Sequence, residues 1–237
     1  MKYLIFVLLS IISFIISSAV HELGHILIGL KEGFKFNLLV VGPFGLKRDE
    51  NDKIVFYIEK DVSLWGGLGQ TIPTNNNKNN YKKFGRILLA GPIASLILGT
   101  ISLLIGINTK HIFFILLGCI SLSMGIVCLI PMRNGAFYTD GGRWLRMKSN
   151  KTRNVEMAIW NLGQNTIIQG NYSKLNFDEI MVLINDEDIR TKYLGHHYAY
   201  CYYKDNNNND GMEKEKIELE KLKGKVPKQM VSMYDVD

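Results

Sequence analysis

The sequence predicts a mainly α-helical, multi-pass membrane protein that ends in a helical cytoplasmic region. Three observations predict this class. Three long apolar runs precede Pro131, basic residues cluster beside those runs, and no long apolar run follows residue 153. We therefore predict a membrane core over residues 1–150 and a separate helical region over residues 151–237.

The first apolar run predicts a membrane-spanning helix over about residues 3–30, because residues 3–20 contain no charged side chain. The run exceeds the usual signal-peptide core of about 7–15 residues, so we expect a retained span. At 1.5 Å per residue the helix would be roughly 42 Å long, against a hydrocarbon core about 30 Å thick. Its C-terminal end would therefore reach the membrane surface.

Residues 34–80 predict a β-rich cytoplasmic loop. Two strands, over residues 36–41 and 53–59, are predicted from their β-branched and aromatic residues and from the polar turn between them. This β-hairpin would either accept an extended substrate as an added strand or serve only as a connection. The sequence leaves both alternatives open.

Two further spans are predicted over about residues 87–107 and 112–130. In the first of these, Gly91, Ser95 and Gly99 recur every four residues, and such a stripe of small residues lets two helices approach closely in lipid. Pro92 fits the first turn of this helix or kinks it.

Basic residues predict the orientation of the spans. If the chain crosses the membrane three times, the following basic residues lie on one side: Lys31, Lys35, Lys47, Arg48, Lys82, Lys83, Arg86, Arg133, Arg143, Arg146, Lys148 and Arg153. The other side receives only Lys2 and Lys110. The positive-inside rule therefore places the loop and the C-terminal region in the cytoplasm of a cell-membrane protein. Because the basic residues cluster beside the apolar runs, we expect the net charge of +6 to reflect contact with the lipid bilayer rather than binding of nucleic acid.

The segment His21-Glu22-Leu23-Gly24-His25 lies at the end of the first apolar run. Residues four apart on a helix share a face, so His21 and His25 can bind one Zn²⁺. Zinc lowers the pKa of a bound water to about 7, and Glu22 can take its proton. Ionisable groups are costly inside a membrane and are therefore candidates for function.

Asp140, which follows the third span, is the candidate third ligand. A catalytic zinc takes three protein ligands and keeps one position open. Gly141 and Gly142 would let the backbone approach the metal. The alternative is that Asp140 caps the N-terminus of a helix over residues 142–148.

Three motifs, in this order and on separate spans, resemble those of the site-2 protease family of intramembrane zinc metalloproteases. They are His21-Glu22-Leu23-Gly24-His25, Gly91-Pro92-Ile93-Ala94-Ser95 and Asp140-Gly141-Gly142-Arg143. The resemblance covers roughly residues 1–150 and implies a three-helix catalytic core that cleaves transmembrane segments near the cytoplasmic face. It implies the following roles: zinc ligands His21, His25 and Asp140, general base Glu22, and substrate-binding residues Gly91, Pro92 and Ser95.

The chain departs from the family pattern at two positions. The family commonly has asparagine where Ser95 stands, and again where Cys128 stands, although Pro131 is kept. From the residues alone, Cys128 and Cys119 are predicted to be small apolar packing residues, because they lie in an apolar run and no Cys-x-x-Cys pair is present.

The C-terminal region predicts four short helices, over residues 154–169, 175–184, 193–203 and 213–223. The last two loosely resemble a tetratricopeptide hairpin, which would bind a protein partner or restrain access to the site. His196 and His197 are predicted to be surface residues, since adjacent helical residues do not face one metal.

Two functions of different classes follow from these observations. The first is a zinc-dependent intramembrane endopeptidase acting on a membrane-embedded protein or peptide. The alternative is a catalytically silent membrane adaptor of the same fold. A metal-ion transporter is disfavoured, because the polar residues collect at one level instead of lining several spans. Retention of every ionisable member of the site favours the enzyme.

Overall fold

The computed structural model describes residues 2–75, 77, 79–134 and 137–234. The chain divides into two compact units, Met1–Pro131 and Met132–Asp237. The helices and strands of the first unit are α1 (Lys2–Lys31), β1 (Phe34–Val41), β2 (Phe44–Arg48), β3 (Ile54–Ile58), β4 (Leu68–Pro73), α2 (Asn80–Thr109) and α3 (Ile112–Leu129). The prediction of a mainly helical chain with a small antiparallel sheet is confirmed.

Three helices, α1, α2 and α3, are long and apolar enough to cross a membrane. The second begins at Asn80 rather than near residue 87. Its polar first turns are held to the end of α1, where Arg86 donates two hydrogen bonds to the Glu32 carboxylate, at 2.6 and 2.7 Å. Lys83 Nζ also donates to the Glu32 carbonyl at 2.7 Å. Apolar patterning cannot detect such a start, because these turns are fixed by charge.

Close helix packing depends on small residues where α2 meets α3. A Cβ atom at Gly99 would lie 2.7 Å from the Leu122 backbone nitrogen, and one at Gly106 would lie 2.7 Å from the Ile115 nitrogen. Alanine at either position would collide with backbone, so these glycines set the distance between the two helices.

The sheet has the strand order β3-β2-β1-β4, with every pair antiparallel. The two predicted strands correspond to β1 and β3, but the prediction that they pair as one hairpin is wrong. The chain reverses at once through Gly42 (φ 56°), so that Val41 opposes Phe44 and β2 lies between β1 and β3. The fourth strand was not predicted, because glycine is unfavourable in strands and Gly69 lies within it.

Strand β4 packs along the half of α1 that contains the two histidines. Ser18 Oγ donates to the Gly66 carbonyl at 2.8 Å. Further along the helix, a Cβ atom at Gly29 would collide with the Thr71 side chain. Because α1 rises 1.5 Å per residue, contacts from Ser18 to Gly29 cover about 16 Å of the helix. The sheet therefore lies beside the predicted metal-binding turn.

The second unit consists of short helices around its own apolar core. Its elements are β5 (Arg133–Asn134), β6 (Phe137–Tyr138), α4 (Asp140–Lys148), α5 (Arg153–Gln169), α6 (Phe177–Ile184), α7 (Ile189–Asp205), α8 (Asn209–Lys223) and α9 (Lys228–Met233). Its largest fully buried side chains are Leu162, Ile180, Leu183, Leu194, Leu219 and Met230. Helices α5 to α8 correspond to the four predicted helices, whereas α9 was not predicted.

The prediction that His196 lies on the surface is wrong. Its side chain is buried between α7 and α8, where Nδ1 lies 2.6 Å from Glu215 Oε2. His197 is half-buried, with its ring centroid 4.9 Å from that of Tyr234. Burial lowers the pKa of His197 to about 4. Both side chains therefore belong to the packing of this unit.

Candidate active site

His21 and His25 lie one turn apart on α1, with only 5% and 8% of their surface exposed. Their Nε2 atoms are 3.3 Å apart. Two nitrogens bound to a tetrahedral zinc at about 2.0–2.1 Å are themselves about 3.3–3.4 Å apart. The pair therefore already has the separation that one tetrahedral ion requires.

Hydrogen bonds from neighbouring groups orient both imidazoles. Nδ1 of His25 donates to the Ile87 carbonyl oxygen at 2.7 Å. A carbonyl can only accept, so neutral His25 carries its proton on Nδ1 and presents a lone pair at Nε2. Nδ1 of His21 lies 2.9 Å from Ser95 Oγ, and when that hydroxyl accepts, His21 Nε2 also presents a lone pair. This is the usual way in which a protein orients metal-binding histidines.

The structure brings the residues of the second motif against this pair. Ser95 is fully buried, with its hydroxyl directed at His21; its predicted contact with substrate stays a prediction. A Cβ atom at Gly91 would collide with the His25 imidazole, so glycine is required there. Pro92 is fully buried, and its carbonyl lies 2.9 Å from the position of a Cβ atom at Gly125 of α3. Gly91 and Pro92 therefore form a tight contact surface beside the site.

The Glu22 carboxylate is half-buried and lies against the glycine-rich start of β4. A Cβ atom at Gly67 would lie 2.7 Å from Glu22 Oε1, and one at Gly69 would lie 2.8 Å from Oε2. Gly67 also has a φ of +120°, which side chains rarely adopt. Sequence reasoning missed the role of these two glycines, although the glycine cluster at residues 66–69 was a visible signal.

Cys128 of α3 also lies close to His21. Its Sγ atom and a ligand nitrogen of His21 are at most 4.8 Å apart, and the cysteine is half-buried. The prediction that Cys128 is only a small packing residue missed this proximity. The signal available in the sequence was its place where the resembled family has a polar asparagine.

Asp140 belongs to the second unit, where it is the first residue of α4 and is half-buried. Thr139 occupies the N-cap position and makes no side-chain capping hydrogen bond. Asp140 is therefore not the N-cap residue of a helix over 142–148. A carboxylate in the first helical turn is favoured by the helix dipole. Its role as third ligand stays a prediction.

Comparison with models of protein families finds a match to peptidase family M50. Residues 9–111 match the model of peptidase family M50, a segment that includes the first two motifs and ends before Cys128 and Asp140. The resemblance to the site-2 protease family is thus confirmed over these residues. Neither the curated proteins nor the solved structures that were compared include a significant match to the chain.

Proposed function

From the match of residues 9–111 to the model of peptidase family M50, we propose that the protein is a zinc-dependent endopeptidase that cleaves membrane-embedded protein or peptide substrates. The observation that carries this proposal is the His21–His25 pair, whose Nε2 atoms are 3.3 Å apart with both Nδ1 atoms engaged elsewhere. Two imidazole nitrogens at this separation can share one cation, and zinc suits imidazole. The donor set therefore fits the metal.

The proposed third ligand is Asp140, supplied by the second unit. When bound, Zn²⁺ would polarise the scissile carbonyl and acidify the attacking water. Glu22 acts as the general base, taking a proton from that water at its carboxylate and passing it to the leaving amine nitrogen. Gly67 and Gly69 let the backbone lie close against this carboxylate, where a side chain would collide with it.

The position of the site along α1 supports cleavage within the membrane. From His21 the helix continues to Lys31, a rise of about 15 Å. If Lys31 lies at the cytoplasmic surface, as the basic residues predict, the histidines lie below the headgroups. The apolar side chains of the first turns of α1 are exposed and face the lipid bilayer in this arrangement.

Strand β4 offers a way to hold the substrate. It is at one end of the sheet order, and its first residues lie against Glu22. A peptide bond becomes accessible to hydrolysis only when its helix is unwound, and an edge strand can pair with an extended segment through backbone hydrogen bonds. Addition to β4 would bring such a segment to the general base.

The catalytically silent adaptor is the weaker alternative. An adaptor has no need for three ionisable side chains inside a membrane, where each is costly. It also has no need for a fully buried serine that orients one of them. The C-terminal unit, proposed to be cytoplasmic, would bind a protein partner in either case.

The substitution Glu22→Gln tests the enzyme directly. Loss of a general base typically costs about 10²–10⁴-fold in rate, whereas the two histidines are unchanged and should still hold zinc. We expect the variant to keep stoichiometric zinc and to lose cleavage of co-expressed single-span membrane proteins. Glu32→Gln, at the end of the same helix and paired with Arg86, is the matched control and should cleave as wild type. Wild-type cleavage by Glu22→Gln would disprove the mechanism.

A further inference from the structure

We propose that Cys128 is an additional ligand of the active-site metal, a thiolate that closes the zinc site in the resting protein. This inference rests on the proposed zinc site and concerns its regulation. The Cys128 sulfur and a ligand nitrogen of His21 are at most 4.8 Å apart. Cys128 is on α3 and His21 is on α1, so two different helices bring a sulfur and an imidazole nitrogen close together.

The distance fits a ligand after a small adjustment. A sulfur at about 2.3 Å and a nitrogen at about 2.0–2.1 Å from a tetrahedral zinc are about 3.5 Å apart. The difference from 4.8 Å is of the order of one bond length. Cys128 is next to the C-terminal residue of α3, Leu129, and rotation about its single χ1 torsion moves the sulfur without disturbing the helix.

The chemistry of the donor atoms favours the same conclusion. Thiolate and imidazole are the ligands that zinc prefers, and both are present within one small volume. The histidine pair points to a metal independently of the cysteine, through its 3.3 Å separation. On binding, the Cys128 thiol releases its proton to solvent as the sulfur–zinc bond forms, and it takes up a proton when it leaves.

A thiolate ligand would make the resting site latent. Zinc with four protein ligands is typical of structural sites, whereas catalysis needs an open position. With His21, His25, Asp140 and Cys128 all bound, water gains access only after the sulfur departs. Substrate entry beside α3 would then be coupled to opening of the site.

Zinc X-ray absorption of the detergent-purified, full-length holoprotein tests this ligand without relying on activity. We expect a sulfur scatterer at about 2.3 Å in addition to nitrogen and oxygen at about 2.0–2.2 Å. Cys128→Ser should lose the sulfur signal and retain zinc. Cys119→Ser is the matched control, since Cys119 is an exposed cysteine of the same helix, and it should keep the wild-type spectrum.

The outcomes separate this inference from the proposed function. Stoichiometric zinc in the wild type with only nitrogen and oxygen neighbours would overturn the cysteine ligand and leave the enzyme intact. A wild type that binds no zinc would overturn both. If Cys128→Ser fails to fold, the wild-type spectrum still decides, and a sulfur-to-cobalt charge-transfer band in the Co²⁺-loaded Cys119→Ser protein provides a second measurement. Absence of that band would count against the proposal.

Discussion

Gly91→Ala is the sharpest test of how the chain builds its metal site. The added Cβ atom would collide with the His25 imidazole, and since the glycine is on the α2 backbone, the imidazole has to move. That ring is held by the hydrogen bond from Nδ1 to the Ile87 carbonyl, so movement breaks the bond that sets its tautomer. One added methyl group should therefore displace the imidazole of His25, a proposed metal ligand, without replacing that residue.

The magnitude follows from two separate costs. Overpacking a tight contact typically costs about 1–3 kcal/mol of stability. Loss of the hydrogen bond that orients a metal-binding histidine typically costs about 10–100-fold in metal affinity. We expect both effects in Gly91→Ala, measured as the thermal unfolding temperature and as zinc retention in competition with a chelator.

Gly106→Ala separates the two costs. Its Cβ atom would lie 2.7 Å from the Ile115 nitrogen, so it overpacks the same helix far from the histidines. It should lose stability and keep zinc affinity. If Gly91→Ala bound zinc as tightly as wild type while folded, the inference that this glycine makes room for the His25 ligand would be refuted.

Three further perturbations test other parts of the structure. Ser95→Ala removes the partner of His21 Nδ1 and should weaken zinc binding about 10–100-fold in competition with a chelator. Ser102→Ala, at another buried serine of α2, should bind zinc as tightly as wild type. Equal zinc affinities of the two variants would count against the inference that Ser95 orients His21. Glu156 is buried and accepts hydrogen bonds from Arg146 at 2.6 Å and from Arg143 at 3.4 Å. Glu156→Ala should therefore destabilise the second unit by about 3–5 kcal/mol, measured by hydrogen exchange of the α5 amides. Unchanged exchange rates would contradict this role of Glu156. Because the pKa of His197 is lowered to about 4, the unfolded chain binds more protons than the folded chain between about pH 6.5 and 4. The free energy of unfolding should therefore fall by up to about 3 kcal/mol as pH falls through that window, measured as hydrogen-exchange protection of α7. In His197→Leu, this protection should depend less on pH.

The apolar spans and the histidine pair could be predicted because each depends on local sequence. A run without charge specifies a membrane-length helix wherever it occurs. Histidines four residues apart share a helix face by geometry alone, so His21 and His25 needed no tertiary information.

The sheet shows where local patterning fails. The strands over 36–41 and 53–59 were visible, but which strand pairs with which depended on the tight turn at Gly42. β4 was invisible because Gly69 lies within it and glycine has a low strand propensity. A side chain at Gly69 would collide with Glu22 of α1, so a tertiary contact outweighed the local preference.

The sequence by itself determined the class of protein, the helix that carries the two histidines and the helix face that they share. Only the tertiary structure decided what surrounds them: Ser95 on His21, Ile87 on His25, the strand glycines against Glu22, and Cys128 within reach of the site. The physical reason is separation along the chain. His21 and Ser95 are 74 residues apart, and a hydrogen bond between them exists only once α1 and α2 have packed at a distance set by glycine.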